Sequence, residues 1–171
     1  MDFWEITREA LNVALATSGH NDPGLRTALL EAYRKLDAYP DVPAALVGYR
    51  ALGIRTVLFS NATPPMLTTA LAAAGLTGLV DRIFTADDQG IYKPSPRVYA
   101  AVTESLGVTP ADVIFHSSNA WDAAGAAAFG WRVLWINRAG RPREYPWVPM
   151  TEVVDLHAAL VTTRGNAASD R

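Results

Sequence analysis

The sequence predicts an α/β protein: a doubly wound parallel sheet with a small helical cap at the N-terminal end. Residues 1–40 contain two amphipathic helical patterns in succession with no strand between them, which is typical of a helical lobe. From residue 41 to residue 165, short β-branched runs alternate with helical segments. This alternation indicates parallel strands joined by helical crossovers. We expect residues 166–171 to form a disordered polar tail.

The two helices of the predicted cap each begin with a recognisable capping pattern. Apolar side chains recur at helical spacing over residues 3–18, and Asp2 and Glu5 are placed to form a capping box. Asp22-Pro23 then starts a second helix, because Asp caps a helix and Pro fits its first turn. We expect the second helix to end at Leu36.

The predicted core contains four strands with helices between them. Gly53, Gly75 and Gly107 follow helical patterns, and glycine commonly ends helices because it readily takes a left-handed conformation. In chain order we predict helix 44–51, strand 56–59, helix 65–74, strand 82–85, helix 95–106, strand 113–116, helix 121–129, strand 133–136 and helix 151–162.

Composition and charge argue against several classes of protein. The 15 Lys and Arg residues are spread along a chain of net charge −2, so no nucleic-acid surface is predicted. No apolar run is long enough to cross a membrane. The chain has no Cys, which excludes disulfides and thiolate chemistry, and its start lacks the pattern of a secretory signal. We therefore expect a cytoplasmic protein.

Segment 113–122 gives the strongest indication of chemistry. An apolar strand opens there into the loop Ser117-Ser118-Asn119, and a small-residue helix containing Asp122 follows. Active sites of parallel α/β sheets lie at such strand ends. The loop supplies hydroxyls, an amide and a carboxylate, whereas a hard metal ion requires a cluster of acidic ligands. We therefore predict a site for an anion or a charged network, with no metal and no cofactor.

Two further segments place polar groups at the ends of predicted elements. Ser60-Asn61 follows a strand, where the pair forms either a turn and N-cap or a set of donors to an oxyanion or carboxylate. Lys93 precedes Pro94, which stiffens the backbone. Its ammonium is either solvated or directed into the cleft, where it would lower the pKa of carboxylates. Tyr99 is either a core residue or a phenolic donor to the same cleft.

Asp122 stands near the start of its helix, where a carboxylate favours the helix dipole. If it pairs with Lys93, the two form a buried ion pair that orients the ammonium. The neighbouring Trp121 is interpreted as a packing residue or as part of a pocket wall. The three His residues share no metal-ligand spacing, and we expect His116 to end a strand with its ring hydrogen-bonded.

Three segments together resemble one family: 58–62 (LFSNA), 92–99 (YKPSPRVY) and 117–122 (SSNAWD). They resemble the haloacid dehalogenase superfamily, and more narrowly its bacterial type II (S)-2-haloacid dehalogenases. The resemblance covers nearly the whole chain, including Phe3-Trp4 in the cap. The Ser-Ser-Asn-x-x-Asp loop is the specific part, because phosphatases of the superfamily keep an acidic residue there for magnesium. Metal-free dehalogenation is therefore favoured over phosphoryl transfer.

The resemblance implies a two-step hydrolysis of short 2-haloalkanoic acids to 2-hydroxy acids. A carboxylate attacks carbon 2 with inversion, the halide leaves, and water cleaves the resulting aspartyl ester. The implied partners are a small 2-haloalkanoate and water. Members of the family are commonly dimers, so a homodimer is expected.

The resemblance also implies a role for each candidate residue. Lys93 keeps the attacking carboxylate ionised, while Asp122 holds Lys93 and assists in activating water. Ser117 and Asn119 position the carboxylate or the hydrolytic water. The residues implied to contact the substrate are Ser60 at its carboxylate, Asn61 on the leaving-group side, Tyr99 as a phenolic donor, and Asn119, Trp121 and Phe3 along the halide and alkyl pocket.

The start of the chain departs from the family pattern. The family opens with an apolar strand ending in Asp-x-x-Gly-Thr, whose first Asp is the nucleophile, and its cap supplies an Arg; neither is present. Asp2 is no substitute, because it heads a helix. The resemblance places the missing strand between the strands that end at Ser60 and Ser117. We therefore expect an N-terminally truncated chain that folds poorly as a free monomer and lacks dehalogenase activity as given.

The sequence is compatible with three alternative interpretations. The chain could be a non-catalytic fragment, or a module completed by a strand from another chain. It could be a phosphatase or phosphonatase of the same superfamily, although the loop at 117–119 argues against this. A flavodoxin-like binding domain is the weakest alternative, because no Gly-rich phosphate turn follows a first strand.

Overall fold

The computed structural model describes residues 1–169, which form seven α-helices, five β-strands and two short 3-10 helices. The predicted helices and strands are present, with ends shifted by one or a few residues, except near the C-terminus. In chain order the elements are α1 Phe3–Thr17, α2 Pro23–Arg34, α3 Val42–Ala51, β1 Val57–Ser60, α4 Pro64–Ala73, β2 Arg82–Thr85, α5 Pro96–Leu106, β3 Ile114–Ser117, α6 Ala120–Phe129, β4 Arg132–Ile136, β5 Thr151–Val153 and α7 Leu156–Ser169, with 3-10 turns at Asp87–Gln89 and Pro110–Asp112.

All strand pairings are parallel, but the strands form two sheets. β1 pairs with β2, and a second sheet has the order β3-β4-β5. The four predicted strands are present as β1 to β4 in these parallel pairs. The predicted α/β class with parallel strands is confirmed.

The chain divides into two compact units. The first contains residues 1–39 and 57–90, and the second contains residues 40–56 and the chain from Ile91 onward. The predicted cap helices therefore share a unit with β1, α4 and β2. A separate cap of residues 1–40 and a core of residues 41–165 remain predictions.

The first unit confirms the predicted helix caps. Asp2 Oδ1 accepts a hydrogen bond of 2.8 Å from the Glu5 amide, and the Asp2 amide donates to Glu5 Oε2 at 2.9 Å. Asp22 accepts from the Gly24 amide at 2.8 Å. Both caps satisfy amides that the first turn of a helix leaves unpaired. The second helix ends at Arg34, two residues before the predicted Leu36.

The second unit packs helices against its three-stranded sheet. Leu134 and Ile136 of β4 form a buried cluster with Val153 and Ala159. Gly48 has no side chain where α3 meets α7, and a Cβ there would collide with the side chain of Leu160. These contacts pack α7 against β4 and β5, and α3 against α7.

The C-terminal elements differ from the prediction. Residues 151–153 form a strand parallel to β4, where the sequence predicts the start of a helix. The helix begins later because Asp155 accepts a hydrogen bond of 2.7 Å from the Ala158 amide and so caps α7. α7 continues to Ser169, so the predicted tail at 166–171 begins too early; an alanine-containing sequence favours helix there. Residues 170 and 171 lie outside the described part. No helix within residues 1–169 has the length and apolar character needed to cross a membrane.

Candidate active site

Lys93 and Asp122 form a buried ion pair in the second unit. Lys93 Nζ and Asp122 Oδ2 lie 3.1 Å apart, and each side chain is 6% exposed. Asp122 lies in the first turn of α6, and Lys93 lies in the segment leading into α5. The predicted ion pair is confirmed, whereas the catalytic roles given to its members remain predictions.

Two hydroxyl groups complete the surroundings of the Asp122 carboxylate. Tyr99 Oη donates to Asp122 Oδ1 at 3.0 Å, and Ser117 Oγ donates to Oδ2 at 3.1 Å. Ser117 ends β3 and α6 begins three residues later, so the short loop brings Ser117 to the first turn of the helix. Three donors therefore converge on one buried carboxylate, which is the condition under which a buried charge is tolerated.

The ring of Tyr99 lies in an aromatic box formed by three other side chains. It stacks on Phe129 with centroids 5.9 Å apart, and it meets Trp131 edge-on at 5.2 Å and Phe115 edge-on at 6.5 Å. The residue has no exposed surface. The ring of Tyr99 is therefore part of the core, as one interpretation predicts, and its hydroxyl donates to Asp122. Its predicted role as a donor to a substrate remains a prediction.

Burial shifts the pKa values of two members of this cluster. Desolvation lowers the pKa of Lys93, and the neighbouring Asp122 carboxylate only partly counteracts this shift. Burial, reinforced by the Asp122 charge, raises the pKa of Tyr99. The Tyr99 hydroxyl therefore stays protonated and acts as a donor. Lys93 Nζ also lies 5.1 Å from the centroid of the Phe115 ring, a distance at which a ring face attracts a cation.

The loop after β3 holds the remaining candidates of the second unit. Ser117 Oγ accepts a hydrogen bond of 3.2 Å from the Asn119 amide, and Asn119 is the N-cap residue of α6. Asn119 is exposed, and Trp121 is 40% exposed. Trp121 and the Asn119 side chain are thus accessible to a ligand, whereas the ion pair is buried. Within the described residues, no three His, Asp or Glu side chains group as metal ligands.

The candidates of the first unit lie around the ends of β1 and α1. Ser60 ends β1, and its Oγ accepts a hydrogen bond of 3.1 Å from the Ala62 amide. Asn61 is partly buried. The Phe3 amide donates to Asp87 Oδ1 at 2.8 Å. Ser60 thus forms the turn that one interpretation predicts, and the substrate-binding roles of Ser60, Asn61 and Phe3 remain predictions.

His116 lies in β3 next to Ser117, and its ring is hydrogen-bonded as predicted. Its Nε2 lies 3.1 Å from Tyr49 Oη, and the two rings are 5.5 Å apart. Desolvation lowers the pKa of His116 to about 4. The ring is therefore neutral near pH 7, and it packs against α3 rather than joining the Lys93 cluster.

Two residues of the cluster escape sequence reasoning. Phe115 lies under the Lys93 ammonium, and Gly125 faces Tyr99 and Pro94. Each has a sequence signal. Phe115 precedes Ser117 by two residues in a strand, which places both side chains on one face. Gly125 follows Asp122 by three residues in a helix, which places both on one face.

Parallel strands with a buried charged cluster at the end of β3 define the class as an α/β protein with a strand-end site. The chain belongs to the haloacid dehalogenase-like hydrolases, whose family model matches residues 4–130. The predicted family is confirmed.

Individual relatives support the same family. The chain is 43% identical over 155 residues to (S)-2-haloacid dehalogenase 4A of Burkholderia cepacia, covering 90% of this chain and 67% of the relative. It is 44% identical over 149 residues to (S)-2-haloacid dehalogenase 1 of Pseudomonas sp. (strain CBS-3), covering 86% and 66%. The chain thus spans about two thirds of the length of these curated relatives.

A solved structure agrees with the fold. It is the L-2-haloacid dehalogenase of Xanthobacter autotrophicus with chloropropionic acid covalently bound, which is 34% identical. The two structures superpose with a TM-score of 0.84, covering 96% of this chain and 77% of that one.

Proposed function

We propose that this chain carries the greater part of the active site of a 2-haloacid dehalogenase, which hydrolyses short 2-haloalkanoic acids to 2-hydroxy acids. The observation that supports this proposal most directly is the buried Lys93–Asp122 pair, joined by Tyr99 and Ser117 at the end of β3. A phosphatase needs an acidic metal ligand in this loop, and the loop supplies hydroxyls and an amide instead.

In the proposed reaction, a carboxylate attacks carbon 2 of the substrate, and the carbon–halogen bond breaks with its electron pair leaving on the halide. Water then attacks the carbonyl carbon of the ester, which releases the 2-hydroxy acid and a proton and restores the carboxylate. We assign this attacking carboxylate to none of the described residues. Asp122 does not fit the role, because it is 4% exposed and accepts three hydrogen bonds.

In this proposal Lys93 keeps the attacking carboxylate ionised, since a nearby positive charge favours the charged form. Asp122 fixes the direction of the ammonium, and Ser117 and Asn119 position the carboxylate or the hydrolytic water. Ser60 and Asn61 are proposed to contact the substrate at its carboxylate and leaving group, and Trp121 and Phe3 to contact its alkyl part. Tyr99, whose hydroxyl donates to Asp122, is proposed to serve the reaction through that carboxylate.

The proposal is tested by measuring chloride release from (S)-2-chloropropionate by ion chromatography. The chain is assayed alone and together with a peptide that contains an apolar strand ending in Asp-x-x-Gly-Thr. We expect no release by the chain alone and release with the peptide, selective for the (S) substrate and insensitive to EDTA.

Three outcomes oppose the proposal. Turnover by the chain alone would show that its own residues provide the nucleophile. No turnover with a bound peptide would favour a non-catalytic module. Magnesium-dependent release of phosphate from an aryl phosphate would favour the phosphatase interpretation.

We further propose that the protein is cytoplasmic and self-associates as a homodimer, with residues 1–40 as part of a cap and residues 41–165 as the core. Exposed apolar side chains such as Val13, which is 65% exposed on α1, favour an association surface. Light scattering coupled to gel filtration measures the oligomeric state, and a monomer at micromolar concentration would contradict the dimer.

A further inference from the structure

Gly125 lies in the middle of α6, three residues after Asp122. Its φ is not in the left-handed region, so backbone conformation does not require glycine at this position. Glycine inside a helix also lowers helix stability relative to alanine. The presence of glycine at position 125 therefore needs another explanation.

The explanation is that Tyr99 and Pro94 lie very close to the backbone of Gly125. A Cβ added at Gly125 would lie 2.8 Å from Tyr99 Oη and 2.9 Å from Pro94 Cβ, and real Cβ atoms essentially never approach that closely. Tyr99 is fully buried and boxed by three aromatic rings, so its hydroxyl cannot retreat. Pro94 is rigid and directly follows Lys93.

We propose that Gly125 is a positioning residue, whose missing side chain lets the Tyr99 hydroxyl and Pro94 reach α6 and so holds the Lys93 ammonium against Asp122. A methyl group at this position pushes away either the hydroxyl that fixes Asp122 or the proline that carries Lys93. Either movement loosens the ion pair. The proposed function gives the pair its catalytic task, but the contact itself can be tested without turnover.

The test measures the reactivity of Lys93 toward reductive methylation under native conditions, with formaldehyde and a borane reductant and with peptide mass spectrometry as the readout. Lys35 and Lys93 are the two lysines of the chain, and Lys35 is exposed. Lys35 therefore serves as an internal reference. In the parent chain Lys93 should react much more slowly, because its side chain is 6% exposed.

Gly125→Ala should raise the ratio of the Lys93 rate to the Lys35 rate by about tenfold, because local opening exposes the amine more often. The control is Ala128→Ser, which adds one heavy atom at an exposed position of the same helix and should leave the ratio unchanged. A folded Gly125→Ala variant with the parent ratio would overturn the proposal.

A second comparison uses Tyr99→Phe as the background. Without the hydroxyl, one of the two close contacts disappears, so adding Gly125→Ala should change the ratio less than it does in the parent. An equal change in both backgrounds would contradict the proposed contact. If Gly125→Ala does not fold, the double variant should fold. If neither folds while Ala128→Ser does, Gly125 has only a general packing role and the proposal fails.

The outcomes separate this proposal from the proposed function. Unchanged Lys93 reactivity would reject the role of Gly125 and leave dehalogenation standing. Absence of chloride release by the peptide-completed chain would reject dehalogenation and leave the role of Gly125 standing.

Discussion

The two faces of β3 carry two different kinds of buried polar group. On the face of Phe115 and Ser117, a charged cluster centres on Asp122, which accepts from an ammonium and two hydroxyls. On the opposite face, His116 shares a hydrogen bond with Tyr49 and carries no charge near pH 7. Adjacent residues of one strand thus enter unlike environments, because side chains alternate between faces.

This difference shows that burial of a titratable side chain does not by itself indicate chemistry. Both groups lie near the end of β3, and desolvation shifts a pKa in each. Only the charged cluster places several donors around a single ion beside an exposed polar loop. His116 is covered by α3, and its neutral ring needs only one hydrogen-bond partner to be tolerated in the interior. Three experiments test this contrast.

The greatest loss of stability is expected when one member of the ion pair is removed. Asp122→Asn should lower the free energy of unfolding by about 3–5 kcal/mol, since it removes the carboxylate that pairs with a buried ammonium. Lys93→Met should have a similar effect on the carboxylate. Unfolding in urea at pH 7 measures both, and Glu104→Gln on the exposed side of α5 is the control.

The double variant Lys93→Met/Asp122→Asn should be more stable than the sum of the two single losses predicts, because it leaves no unpaired charge. Additive losses would show that the two side chains are not coupled in solution. The Lys93–Asp122 cluster would then not differ from the His116–Tyr49 pair in electrostatic coupling.

The helix caps and the Lys93–Asp122 pair can be predicted from the sequence, because each side chain is positioned by residues that are close to it in the chain. Asp2 and Asp22 specify their caps through neighbours a few residues away, and both caps are observed. Lys93 and Asp122 are far apart in sequence, yet each is fixed by a local device: a proline after Lys93, and a strand-loop-helix turn before Asp122. Their contact is therefore predictable once Asp122 is placed after the end of a strand and Lys93 just before a helix.

Other features depend on contacts that local patterns do not encode. The strand at 151–153 is short and contains Glu152, and only its pairing with β4 distinguishes it from a helix start. The importance of Gly125 depends on how closely Tyr99 and Pro94 approach α6, and no periodicity reports that distance.

The second experiment measures how the neutral His116 makes the stability of the protein depend on pH. The pKa of His116 is about 4 in the folded protein and about 6.5 in an unfolded chain. Between these pH values the unfolded state binds more protons than the folded state. The contribution of His116 to the free energy of unfolding is therefore fully present above pH 6.5 and is lost as the pH falls toward 4. Because His116 is only partly buried, we expect a loss of about 2 kcal/mol.

Urea unfolding between pH 4.5 and pH 7.5 measures this loss. His116→Gln keeps a polar partner for Tyr49 but cannot titrate, so its stability should fall less over the same range. The control is His157→Gln at an exposed position, which should retain the parent slope. If the free energy of unfolding depends on pH equally in all three proteins, the acid sensitivity arises from groups other than His116.

The smallest expected effect compares two hydroxyl groups, one on each side of β3. Tyr99→Phe removes a donor to a charged acceptor, whereas Tyr49→Phe removes a hydroxyl that hydrogen-bonds His116 and Thr163, both uncharged near pH 7. Hydrogen bonds to charged groups contribute about 1.5–3 kcal/mol and neutral ones about 0.5–1.5 kcal/mol. Two neutral hydrogen bonds together contribute about as much as one charged bond, so the two substitutions should cost similar amounts in the parent. Once the charge is removed, the cost of Tyr99→Phe should fall by about 1 kcal/mol.

The two substitutions are well matched, because each removes a single oxygen from a buried ring and leaves the aromatic contacts in place. Unfolding in urea at pH 7 gives the difference directly. Repeating it in the Asp122→Asn background removes the charge, so the cost of Tyr99→Phe should shrink while the cost of Tyr49→Phe stays constant. If the cost of Tyr99→Phe is the same without the charge, it does not arise from the charged hydrogen bond, and the two faces of β3 would differ in aromatic contacts rather than in electrostatics.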